Sequence, residues 1–101
     1  MPATELSDLA SAVEVVHRLR REKTEAEAQI DNCMRHLANE QQMLSEVSSG
    51  ESAAEATLVE DACLAGIKAW KLSIAAYRAD VEYCEEQIKA VAARFPLANA
   101  S

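Results

Sequence analysis

The chain has almost nothing in it that stops a helix. Its two prolines are Pro2 and Pro96, and its only glycines are Gly50 and Gly66. A sheet needs turns, and turns are made chiefly by clusters of Gly, Pro, Asn, Asp and Ser. One such cluster lies inside the chain, Val47-Ser-Ser-Gly-Glu-Ser52. Alanine is abundant and the β-branched residues do not alternate, so the pattern is helical throughout. The expectation is an all-α chain with a single domain over residues 1–101: a helix over about 4–47, a turn at 48–51 and a helix over about 52–94. Gly50 can take the left-handed conformation that closes the first helix. Ser52 and Glu55 form a capping box for the second, the hydroxyl accepting from the Glu amide and the carboxylate reaching back. Phe95, before Pro96, is pushed out of the helical region. Ser11 and Glu14 form a second capping box, which allows a break in the first helix near Ser11.

Helices of roughly 40 residues span about 60 Å and need a continuous apolar seam. The second helix supplies one in alternating steps of four and three: Cys63, Ile67, Trp70, Ile74, Tyr77, Val81, Cys84, Ile88, Val91 and Phe95. The first supplies Leu9, Ala12, Val16, Leu19, Lys23, Ala26, Ile30, Cys33, Leu37, Glu40, Leu44 and Val47, with Lys23 and Glu40 as polar members. A period of 3.5 predicts an antiparallel two-helix coiled-coil hairpin. Folding at residue 50 sets Trp70 against Ile30, Cys63 against Leu37, Lys23 against Tyr77 and Glu40 against Glu60. It also sets the basic run from His17 to Lys23 against Asp80, Glu82, Glu85 and Glu86, and Asp31 against Lys68.

The back of the first helix is polar. The back of the second is not: Leu58, Ala62, Ala65, Ala69, Leu72, Ala76, Ala79 and Tyr83 carry no charge. One hairpin cannot cover both faces of its second helix. The expected remedy is another chain, most simply a homodimer in which two such helices pack antiparallel near Ala69 to make a four-helix bundle. A bare alanine-rich surface, alanine being the best helix former, is the competing reading.

Ten Lys and Arg against seventeen Asp and Glu give a net charge of −7. That argues against binding nucleic acid or an anionic membrane, both of which want a basic surface. Three cysteines, an odd number, with no secretory leader in the opening residues, point to reduced thiols and a cytoplasmic setting. No lipidation signal and no membrane-length apolar run is apparent. Cys33 and His36, with Cys63 across the hairpin, are weak candidates for a metal site. No CxxC or HExxH spacing supports them, so no cofactor is expected. A hairpin has neither a pocket nor oxyanion donors for a Cys–His pair, so no enzyme is expected.

The length and hairpin shape are similar to those of the WXG100 secreted proteins, which carry Trp-x-Gly at the turn. Here the turn reads SSGES and Trp70 lies mid-helix, so no family is assigned. The functional expectation is a non-enzymatic module that self-associates through its second helix and binds a protein partner as an inhibitor, adaptor or chaperone-like protein. Phage anti-defence and secretion-accessory proteins are examples of the type. The alternatives are half of an obligate hetero-complex, or an oligomer with a small-ligand or metal site between helices.

Overall fold

The computed structural model describes residues 3–47 and 53–99, with side chains described over 8–47 and 54–98. The fold is an all-α hairpin. Helix α1 spans Ala3–Glu46 and helix α2 spans Ala53–Arg94, and a short 3-10 turn, η1, follows over Pro96–Asn99. No strand occurs among the described residues. Helix α1 runs unbroken through Ser11 and Glu14. The capping box there does not interrupt it, since Ala12 and Val16 belong to the apolar core and a break would forfeit their burial. The expected turn residues and the Ser52 cap lie outside the described residues.

The chain forms two compact units. The first is Met1–Glu27 with Arg78–Ser101, and the second is Ala28–Tyr77. In each, a stretch of α1 packs on a stretch of α2. All the seam residues read from the sequence are buried or half-buried. In the first unit Ala12, Val16, Leu19, Ala26 and Cys84 are buried, and in the second Cys33, Cys63 and Ile74.

The first unit has an additional layer. Ala98, on η1, is completely buried and clusters with Ala12 and Val16; Leu9, Val13, Ile88, Val91 and Phe95 pack around them. Phe95 has left the helix, yet its amide still donates to the Val91 carbonyl at 2.7 Å. The Ala98 amide donates to the Phe95 carbonyl at 3.0 Å, which curls the tail back.

The register differs from the one expected. In the second unit the ring stacked on Trp70 is His36, and the carboxylate acting on Cys63 is that of Glu40. In the first unit the Lys23 ammonium lies 3.3 Å from Glu85. That pair agrees with the expected facing of the basic run and the acidic residues of α2, while the Trp70 and Cys63 neighbours are offset along α1 by about three to six residues from a fold at residue 50. The reason lies in the seam itself. An apolar stripe that repeats every seven residues matches its partner equally well after a slide of seven, so apolar packing does not choose between the two registers. The polar members do. The expected register set Glu40 against Glu60, a like-charge meeting, whereas the observed one gives Glu40 a thiol.

Candidate interaction face and the polar sites of the seam

Both helices place side chains on faces away from the seam, and the two outer faces differ. On α1, Ser11, Glu14, Arg18, Arg21, Glu25, Arg35, Asn39, Gln42 and Glu46 are exposed and polar. Arg18 and Glu22 approach within 3.8 Å along the helix, a surface pair of small worth. On α2, Leu58, Ala62, Ala65, Ala69, Leu72 and Ala76 of the second unit are all exposed. Leu58 is 71% and Leu72 63% exposed. Ala79 and Tyr83, in the first unit, are exposed as well. The stripe on the second unit is therefore a continuous uncharged strip of one helix. Its alanines would let another helix approach closely, and its two leucines would give that helix apolar bulk.

Further exposed apolar side chains of the second unit are Met34, Met43 and Leu64. Single exposed apolar residues are ordinary on a protein surface; a run of them along one face is not.

The polar seam sites explain themselves locally. A Cβ on Gly66 would lie 2.9 Å from the Glu40 carboxyl carbon and 3.0 Å and 3.2 Å from its oxygens. Gly66 is thus a notch in α2 that receives the Glu40 carboxylate. From there the carboxylate accepts a hydrogen bond from the Cys63 thiol. Burial first, and then the charge and hydrogen bond of Glu40, raise the Cys63 thiol above its ordinary value. Burial likewise raises the Cys84 thiol, helped by Glu22 and Asp80 and opposed by Lys23. Both groups are neutral thiols near pH 7 and so poor nucleophiles. The Lys23 stem is half-buried in the seam while its ammonium reaches Glu85, the arrangement by which a long cationic side chain covers apolar surface.

His36 lies flat on Trp70, with ring centroids 4.5 Å apart and planes 8° from parallel. The three weak metal candidates are consequently in three different situations. Cys33 is buried and free, His36 is spent on an aromatic stack, and Cys63 is turned to Glu40. Among the described residues no group of three His, Cys, Asp or Glu side chains could hold a metal ion. Sequence reasoning missed the Gly66 notch, although a lone glycine inside a helix, where it costs about 1 kcal/mol against alanine, is a signal that something approaches closely.

Among the described residues no helix is long and apolar enough to cross a membrane. No family model, curated protein or solved structure matches the chain.

Proposed function

We propose that this protein is a non-enzymatic protein-interaction module that self-associates through the alanine-rich face of α2 and works by binding another protein. One observation carries the reading: Leu58, Ala62, Ala65, Ala69, Leu72 and Ala76 form an uncharged strip that is exposed along its whole length, opposite a seam already filled by α1. An isologous dimer with α2 packed antiparallel on α2 near Ala69 covers that strip, and two hairpins joined this way make a four-helix bundle. The polar outer face of α1 then remains in water, available to a protein partner.

The test is Ala69→Glu. A carboxylate forced into a helix–helix contact without a partner is strongly unfavourable. The variant should weaken the dimer at least about a hundredfold, a loss of about 2.7 kcal/mol, and light scattering at micromolar concentration should then give the monomer mass. A dimer that persists in the variant sinks this contact. A folded wild-type monomer sinks self-association altogether, and an ill-folded one makes the strip the seat of a different chain.

A further inference from the structure

The strip on α2 has an internal order as well as a lack of charge. Its two large side chains, Leu58 and Leu72, each stand seven residues from Ala65, about 10 Å along the helix. Both are largely exposed, and the strip positions between them are alanine.

The charges that flank the strip divide at the same residue. Glu60 and Asp61 come before Ala65, and Lys68 and Lys71 come after it. All four are exposed and lie in the second unit with the strip. Among the described residues none of the four takes part in an ion pair within the chain. The expected facing of Asp31 and Lys68 thus makes no bridge.

We propose that the partner of this strip is a second copy of the chain held in one antiparallel register, with the two-fold axis at Ala65. This rests on the self-association reading above and adds its geometry. Turning a copy about Ala65 brings together residues whose numbers sum to about 130. Leu58 then meets the partner's Leu72 at one end of the contact, and Leu72 meets the partner's Leu58 at the other. Ala65 packs on the partner's Ala65 at the centre, where small side chains let the backbones come close. Asp61 meets the partner's Lys68, and by symmetry Lys68 meets the partner's Asp61. A parallel copy would set each of these charges beside its like. An axis one turn further on, at Ala69, would set Lys68 beside the partner's Lys71. Exposed ion pairs contribute little to affinity, so their part is to choose the register. The leucines and the close alanine contact supply the attraction.

Two measurements on the full chain test this register. Ala65→Cys, treated with oxidised glutathione, should give a covalent dimer on a non-reducing gel, and Ala69→Cys should not. A disulfide needs its Cα atoms within about 7 Å, and with the axis at Ala65 the two copies of position 69 stand about 12 Å apart along the helices. The native cysteines are buried, and the wild type is the control. Sedimentation equilibrium then reads the charges. Asp61→Lys alone, or Lys68→Asp alone, sets like charges together on both sides of the axis and should weaken the dimer about tenfold, a loss of about 1.4 kcal/mol. Asp61→Lys also makes the chain less negative, so general repulsion between copies predicts the opposite sign for it. The double variant restores both pairs and should return the dimer to within about twofold of the wild type. A dimer that cross-links through Ala69→Cys, through both positions or through neither overturns the register and leaves self-association standing. So does a double variant no tighter than the single ones. A wild-type chain that sediments as a monomer overturns both.

Discussion

At Gly66 an absent side chain makes room for a charged one. The Glu40 carboxyl carbon lies 2.9 Å from the place a Cβ would take, so Gly66→Ala sets two effects against each other. Alanine is worth about 1 kcal/mol more than glycine inside a helix. The atoms in the way are the far end of a flexible, half-buried side chain, which can swing toward water. We therefore expect Gly66→Ala to stabilise the fold, by up to about 1 kcal/mol, and to separate Glu40 from the Cys63 thiol. The second effect has a pH signature. A thiol whose folded value lies above its unfolded one stabilises the fold while neutral. Its contribution is complete below about pH 8.5, the ordinary thiol value, and is lost as pH rises through the folded value. Burial remains in the variant, but the carboxylate's share of the shift does not. The alkaline loss of stability assigned to Cys63 should therefore begin at the same pH as in the wild type but end at a lower one, and be smaller in total. Urea midpoints from pH 7 to 10, each compared with its own Cys63→Ala counterpart, measure it. An alkaline limb that ends where the wild type's does would mean that Glu40 does not move.

At the scale of the element, α1 and α2 show which parts of the pairing a sequence reports. The seam was legible in full, from Leu9 to Val47 and from Cys63 to Phe95, because burial follows the four–three spacing directly. The register was not, because a heptad pattern is indifferent to a heptad slide. Lys23 and Glu40 looked like flaws in the stripe, yet each meets a partner, Glu85 and Cys63, that a further slide of seven would take away. A double variant, Lys23→Leu with Glu40→Leu, should consequently trade specificity for burial. We expect equal or greater stability with a loss of single register. Spin labels at Asn39 and Lys68, both exposed on the second unit, should report one distance in the wild type and two in the double variant. One unchanged distance would transfer the choice of register to something other than the polar seam. Ala98 had no signal at all, since a single small residue beyond a proline has no period to reveal which surface it meets.

At the scale of the whole molecule, charge and the alanine face pull in opposite directions. Each chain carries a net charge of −7, so two chains repel as they approach, whatever their faces do. The strip from Leu58 to Ala76 contributes no charge of its own, and its attraction is apolar burial and close helix packing, neither of which salt screens. The repulsion is screened: the Debye length falls from about 10 Å at 0.1 M ionic strength to about 3 Å at 1 M. Self-association through this strip should therefore tighten as sodium chloride is raised, and sedimentation equilibrium should show the dimer dissociation constant falling. Pairing held by the other conspicuous feature, the basic run of α1 against the acidic residues of a second copy's α2, behaves in the opposite way. Its attraction is itself electrostatic and weakens with salt. The sign of the salt dependence thus separates an apolar contact between hairpins from a charged one. The Ala69→Glu variant adds a charge to each strip, so any residual dimer it forms should gain more from salt than the wild type does.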